Sequence, residues 1–167
     1  MKVFGVTGWK NSGKTTLVSK LVTEIKARGY SVSTIKRTHH NVDLDQPGTD
    51  SFKHRSAGAQ EVVLLSDNRY ALLRELPEPI SLPAMIERLD PVDLVLVEGF
   101  KAGAHAKIEC HRAERERPLI SQDNTSIVAI ASDTAVDTSL PVLDLNAIAD
   151  VADWVLNHVD LPKEAQK

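Results

Sequence analysis

The chain holds a single cysteine, Cys110, among 167 residues, so an internal disulfide is excluded and a buried core must hold the fold. Aromatic residues make up only 4%, which leaves that core mostly to aliphatic side chains. Positive charge is not in surplus: 20 Lys and Arg stand against 23 Asp and Glu, a formal charge of −3. That balance argues against a nucleic-acid binder working through bulk charge, while leaving room for a local basic pocket. No charged leader with an apolar stretch opens the chain and no membrane-length apolar run interrupts it, so the expectation is a cytoplasmic protein with no membrane partner. Repeats and low-complexity blocks are absent too. At about 150 residues per domain, one domain is expected over 1–159, followed by a polar tail over 160–167.

What is present, 42% apolar and 26% charged residues, reads as alternating strands and helices. Val3, Phe4 and Val6 in the run Lys2 to Thr7, closed by Gly8, predict a short buried strand. Leu17, Val18, Leu21, Val22 and Ile25 recur at helical spacing between Lys14 and Arg28, with Gly29 as the C-terminal cap, before a strand from Val32 to Ile35. The polar stretch Arg37 to Asp50 is long for a connection inside a compact domain, the kind of loop that carries function. Asp50 is read as capping a short helix through Ala59, and Asp67-Asn68 as the turn of a hairpin between Glu61 to Ser66 and Arg69 to Glu75. A helix is expected from Ser81 to Leu89. Asp93 to Glu98 carries Leu94, Val95, Leu96 and Val97 without a polar break, the pattern of a strand covered on both faces. Lys107 to His111, Ser126 to Ala131 and Pro141 to Leu143 are further strands, and a helix from Ala147 to Val159, capped by Asn146, follows. The expected fold is an α/β three-layer sandwich with a mainly parallel sheet plus a β-hairpin.

Gly8-Trp9-Lys10-Asn11-Ser12-Gly13-Lys14-Thr15 matches G-x-x-x-x-G-K-[ST] without a mismatch. It lies between a predicted strand and a predicted helix, the context this P-loop motif requires. Its glycines let the backbone curl so that amide N–H groups converge on phosphate oxygens, and the helix N-terminus adds partial positive charge. Lys14 is the expected counter-ion of the β- and γ-phosphates, and the Thr15 hydroxyl the expected Mg²⁺ ligand. Lys10 reads as solvated surface. The fold class therefore sharpens to a P-loop NTPase.

Glu98 ends an apolar strand and precedes Gly99, as a Walker B carboxylate does. Glutamate is one methylene longer than the usual aspartate, so direct Mg²⁺ coordination and a water-mediated role both stay open. Asp43, Asp45 and Asp50 either complete the metal shell or form a solvated acidic loop. His39 and His40 are adjacent, so their side chains diverge on an extended backbone and do not make a metal pair by themselves. Glu109, Cys110 and His111 form a second possible soft-metal cluster, weakened because Cys110 on a strand faces away from both neighbours. Lys101, Lys107, Arg112, Arg115 and Arg117 gather positive charge after Glu98, either for an anionic ligand or as an exposed loop balanced by Glu109, Glu114 and Glu116.

Taken together, GWKNSGKTT (Gly8 to Thr16), TIKRTHH (Thr34 to His40), PGTDS (Pro47 to Ser51) and DLVLVEGFK (Asp93 to Lys101) resemble the molybdopterin-guanine dinucleotide biosynthesis adapter family, MobB. The likeness in order and spacing runs from Lys2 to about Trp154. It implies a dimeric P-loop protein that binds GTP with Mg²⁺, hydrolyses it slowly at most, and works beside the guanylyltransferase that attaches GMP to molybdopterin. By that likeness Gly8 and Asn11 to Thr16 hold the phosphates, and Glu98, Gly99, Phe100 and Lys101 lie near the γ-phosphate and metal. His39, His40 and Asp50 line the nucleotide or pterin pocket, Asp50 joining Thr15 and Glu98 as a metal ligand. No N-K-x-D stretch exists in the chain, so guanine selectivity follows from the resemblance alone; Ala131-Ser132-Asp133, at a predicted strand end, is a base-side contact by position only.

Two other functions compete with the adapter. A metallochaperone GTPase for nickel enzymes would use His39, His40, Cys110 and His111. A small-molecule kinase would use the same P-loop together with a base on an acceptor hydroxyl and a mobile lid.

Overall fold

The structure, a computed structural model, describes residues 1–38, 44–113 and 117–165. The chain divides into two compact units, one formed by Met1–Arg37 and Arg88–Lys167 and the other by Thr38–Glu87. The first unit carries strands β1 (Lys2–Thr7), β2 (Val32–Lys36), β5 (Leu94–Glu98), β6 (Lys107–His111), β7 (Ile127–Ser132) and β8 (Val142–Asp144) with helices α1 (Lys14–Ala27) and α4 (Ile148–His158). The second carries α2 (Asp50–Ser56), β3 (Glu61–Ser66), β4 (Arg69–Arg74) and α3 (Leu82–Ile86).

In the first unit the strands form one sheet in the order β2-β5-β1-β6-β7-β8, with every ladder parallel. Parallel neighbours cannot be joined by tight turns, so each connection must cross a face of the sheet. On one face α1 and α4 pack over Phe4, Val6, Leu94, Leu96, Ile108 and Cys110. The stripe Leu17, Leu21 and Ile25 of α1 and Val151, Val155 and Leu156 of α4 is buried there. Each such aliphatic side chain contributes about 1.5–3 kcal/mol of burial. Phe4 supplies one of the few aromatic contacts, edge-on to Trp154 with centroids 6.0 Å apart.

The opposite face of the sheet buries charge. Lys107 is 1% exposed and its ammonium donates to the Gly103 carbonyl and the Ser126 hydroxyl. Glu109, wholly buried, accepts the backbone N–H groups of Ile120 and Ser121 at 2.9 Å each. Buried charges are tolerated only when so partnered, and here the partners are the loops that cross this face. His105 completes the arrangement: its ring fills the space where a side chain at Gly5 would stand, Nε2 lying 2.7 Å from an ideal Cβ.

Local chemistry explains where elements begin and stop. Gly29, at φ +92°, closes α1 as expected. Thr49, not Asp50, caps α2, its hydroxyl accepting the Phe52 N–H at 3.3 Å. Ser81 caps α3 in the same way, and that helix is one turn, shorter than the reading from Ser81 to Leu89. Asn146 does not cap α4; Ala147 holds that position without a side-chain bond, while the Asp144 carboxylate takes the Asn146 N–H at 2.8 Å. The hairpin turns at Asp67-Asn68 with Leu65 opposite Tyr70 and Val63 opposite Leu72. The segment 160–165, read from the sequence as a polar tail, is tied down within the first unit. Ala165 N–H donates to the Arg28 carbonyl at 3.0 Å, the Tyr30 hydroxyl to the Pro162 carbonyl at 2.9 Å, and Lys163 pairs with Asp153. Among the described residues no helix is long and apolar enough to cross a membrane.

Burial, aided by the nearby Lys107 ammonium, pushes the His105 imidazole down from 6.5 to about 4. Its Nε2 is buried without a hydrogen-bond partner among the described residues. The unfolded chain takes up this proton near pH 6.5 and the folded chain only near 4, so the stabilisation is full above 6.5 and is lost as pH falls from 6.5 towards 4. Urea midpoints measured from pH 7.5 to 4.5 are expected to fall in the wild type and to fall less in His105→Gln; parallel profiles would contradict this account.

Candidate functional site

The site is built at the C-terminal edge of the sheet. β1 lies between β5 and β6, with Val6 opposite Glu98 and Thr7 opposite Glu109. As β1 ends, the chain turns sharply at Gly8, whose φ is +144°. An ideal Cβ there would lie 2.5 Å from the Cys110 carbonyl oxygen and 2.5 Å from Ser12 Oγ. Only glycine meets both conditions. The loop then passes through Asn11 at φ +63° and Gly13 at φ +93° and enters α1. No side chain caps α1 and no acidic residue occupies its first turn. Its first intrahelical bond is Leu17 N–H to the Gly13 carbonyl, at 2.9 Å. The amides of Lys14, Thr15 and Thr16 precede that bond, so they and the helix dipole offer themselves to an anion.

Other contacts hold the loop in this shape. The Ser12 N–H bonds the Trp9 carbonyl at 3.2 Å. The Cys110 thiol donates to the Ser12 carbonyl at 2.8 Å. Burial pushes that thiol up to about 11, so it stays protonated at neutral pH and acts as a donor to the loop, not as a thiolate for a metal. Trp9 Nε1 donates to the Pro118 carbonyl at 2.8 Å, and Lys101 Nζ lies 4.1 Å from the centre of the indole ring, Arg117 5.4 Å. Arg112 lies over Gly13, with Nε 3.0 Å from an ideal Cβ there, and reaches the Asp133 carboxylate at 3.4 Å.

The chemistry converges on Thr15 and Glu98. The Thr15 hydroxyl donates to Glu98 Oε1 at 2.8 Å, and the Glu98 side chain is 9% exposed. Lys36 Nζ stands 3.2 Å from Thr15 Oγ1 and 3.3 Å from Glu98 Oε1. Lys14 folds back onto the Trp9 carbonyl. Burial is the main cause that lowers the Lys14 ammonium below the usual lysine value, with Lys101 and Lys36 acting in the same direction and Glu98 opposing them. The pair of hard oxygens from Thr15 and Glu98 suits Mg²⁺, and an ammonium already seated against both oxygens shows that the place attracts a cation.

β5 runs on into the remaining expected residues: Gly99 N–H bonds the Val6 carbonyl at 3.1 Å, and Phe100 stacks under the Arg37 guanidinium at 5.1 Å. Gly8, Asn11, Ser12, Gly13, Lys14, Thr15, Thr16, Glu98, Gly99, Phe100 and Lys101 thus all belong to the first unit. His39, His40 and Asp43 lie outside the described residues. Asp50 belongs to the second unit, where its exposed carboxylate pairs with Lys53 at 3.1 Å; in that unit the Arg55 Nε also bonds the Asp45 carboxylate at 3.1 Å. Among the described residues no group of three His, Cys, Asp or Glu is placed to hold a metal, and Glu109 and Cys110 are each committed to backbone partners. Lys36 was not singled out as a site residue, although it stands within the quoted run TIKRTHH, directly after the strand read from Val32 to Ile35; that it meets Glu98 follows only from β2 lying beside β5.

A family model described as molybdopterin guanine dinucleotide synthesis protein B matches residues 3–133. This chain belongs to that family. Within MobB, a molybdopterin-guanine dinucleotide biosynthesis adapter protein from Haemophilus influenzae is 41% identical over 157 residues, 93% of this chain and 88% of that protein. Its namesake from Escherichia coli is 39% identical over 153 residues, 89% and 87% of the two chains. Among solved structures, a crystal structure of molybdopterin-guanine biosynthesis protein B superposes with a TM-score of 0.76 at 26% identity, covering 93% of this chain and 99% of the other. A MobB homologue from Bacillus stearothermophilus gives 0.71 at 27%, covering 96% and 99%.

The close approach at Gly8 makes a direct prediction. Gly8→Ala should cost about 1–3 kcal/mol through the strained backbone alone and should also open the loop. Thermal unfolding of the variant is expected to drop measurably; an unchanged transition would contradict the packing of the loop against Cys110.

Proposed function

We propose that this chain is a GTP-binding adapter in molybdopterin-guanine dinucleotide biosynthesis, acting beside the guanylyltransferase and hydrolysing GTP slowly at most. The observation that carries the reading is the open anion-binding turn from Gly8 to Thr16, set against the Thr15–Glu98 pair, in a member of the MobB family. In this reading Asn11, Ser12, Gly13 and Thr16 offer backbone or hydroxyl donors to the phosphates. Lys14 leaves the Trp9 carbonyl to pair with the β- and γ-phosphates. Thr15 and Glu98 hold Mg²⁺. Mg²⁺, when bound, supplies charge neutralisation of the phosphates. Gly99, Phe100 and Lys101 border the nucleotide, and by the family likeness His39 and His40 are the candidates for binding the pterin or a phosphate. Molybdopterin is the second ligand, and the setting is cytoplasmic, with neither nucleic acid nor membrane as a partner.

The family's homodimer has support from the second unit. One face of the hairpin carries Val63, Leu65, Tyr70 and Leu72, all about half exposed or more, and both outer strand edges belong to a two-stranded sheet. Such apolar faces, with edges that pair with no other strand among the described residues, are what a second copy covers. A nickel chaperone draws nothing from Cys110, a buried thiol bonded to the P-loop, and among the described residues no group of three His, Cys, Asp or Glu is placed to hold a metal.

Calorimetry with GTP and ATP, with and without molybdopterin and the guanylyltransferase, tests the reading; rapid phosphoryl transfer to a metabolite acceptor would overturn it in favour of a kinase. Lys14→Ala is expected to weaken GTP binding by about 100-fold or more, since the phosphates lose a charge-assisted partner. Glu98→Gln is expected to slow Mg²⁺-dependent hydrolysis more than it weakens binding. Light scattering should give a dimer for the wild type and a monomer for Leu65→Lys/Tyr70→Lys. A monomeric wild type would remove the dimer from the proposal.

A further inference from the structure

We propose that Lys36 is a built-in counter-cation that occupies the metal position of the P-loop before Mg²⁺ arrives and must yield it when Mg²⁺ enters with the nucleotide. The inference rests on the reading of the loop as a Mg²⁺-nucleotide site and assigns a role to a residue outside the Walker motifs.

The geometry is specific. Lys36 is the last residue of β2 and sits opposite Glu98 in the parallel β2–β5 ladder, and the Arg37 N–H bonds the Glu98 carbonyl at 2.9 Å. Backbone register therefore fixes the lysine beside the carboxylate. Its ammonium touches the same two oxygens, Thr15 Oγ1 and Glu98 Oε1, that a divalent cation would take. The two partners differ in freedom: the Glu98 side chain is 9% exposed, whereas that of Lys36 is 59% exposed. A nearly buried carboxylate needs a counter-charge to avoid a desolvation penalty. A long, half-solvated lysine can supply that charge and withdraw into water at little cost.

The arrangement changes what metal binding means energetically. Without Lys36, a metal-free nucleotide would bring its phosphates towards a Glu98 carboxylate stripped of its direct ion pair. With it, the metal-free site is already neutralised, and Mg²⁺ enters by exchange with a cation. Lys36 thereby reduces the coupling between Mg²⁺ and nucleotide: it supports metal-free binding and opposes part of the gain from the metal. Lys14 does not share this role, since its ammonium is held by the Trp9 carbonyl.

The test is the ratio of the GDP dissociation constant without Mg²⁺ to that with saturating Mg²⁺, measured by calorimetry on the full chain. In Lys36→Met the ratio is expected to rise by about five-fold or more, the scale of one ion pair with a nearly buried partner. Lys36→Gln guards against an effect peculiar to one substitution and should behave alike, while Lys36→Arg should stay near the wild type. In the Glu98→Gln background, Lys36→Met should leave the ratio nearly unchanged, because the carboxylate that needs the counter-charge is gone. Nucleotide binding with the same ratio in wild type and Lys36→Met overturns the inference alone. An equal rise with and without Glu98 also overturns it, since the lysine would then act on the phosphates directly. Absence of nucleotide binding by the wild type overturns both the inference and the reading beneath it.

Discussion

The position of β1 between β5 and β6 is the constraint on which the rest depends. Because all three strands run parallel, β1 delivers the chain to the sheet edge with Glu98 on one side and the Cys110 backbone on the other. The chain must turn in the space left by the Cys110 carbonyl and the Ser12 hydroxyl, and Gly8 is the residue that can do so. Everything downstream follows from the turn: the uncapped start of α1, the free amides of its first turn, and the meeting of Thr15 with Glu98. Val6 opposite Glu98 sets the register, and one residue of slip would send the carboxylate to the other face of the sheet.

Charge is arranged by the same logic. The chain as a whole is slightly negative, yet at the turn Lys36 pairs with Glu98 and both Lys36 and Lys101 act on Lys14. Ammonium groups gathered at one turn give it local positive charge, which a polyphosphate needs and a near-neutral composition conceals. Trp9 restrains part of it by receiving Lys101 and Arg117 against its ring. Two other buried charges of the first unit, Lys107 and Glu109, serve the fold: each is matched to loop groups that close the second face of the sheet.

Much of this was legible in the chain because it is contiguous. The P-loop occupies eight consecutive residues, and the apolar run Leu94 to Val97 announces a covered strand ending in a carboxylate, so both halves of the site could be read without a fold. The contacts that cross between strands could not. Lys36 meets Glu98, Arg112 overlies Gly13, and Cys110 bonds Ser12 only because β2, β5, β1 and β6 are neighbours in that order, and strand order is a tertiary property. The same limit explains the 160–165 segment. Its composition is that of a tail, but Tyr30, Arg28 and Asp153 provide partners for it that sequence spacing does not reveal. Helix caps were missed on a finer scale: Thr49 and Asp50 are both good capping residues, and backbone angles decided between them.

The central claim is that the amides from Gly13 to Thr16 cradle the phosphates while Thr15 and Glu98 hold the metal. Hydrogen–deuterium exchange on addition of Mg²⁺ and a non-hydrolysable GTP analogue reads those amides directly. The account predicts that protection appears first and most strongly in the peptide spanning Gly8 to Leu17, with a second change at Glu98 to Lys101. Binding of the analogue with exchange in Gly8 to Leu17 unaltered, and protection confined to another part of the chain, would contradict it.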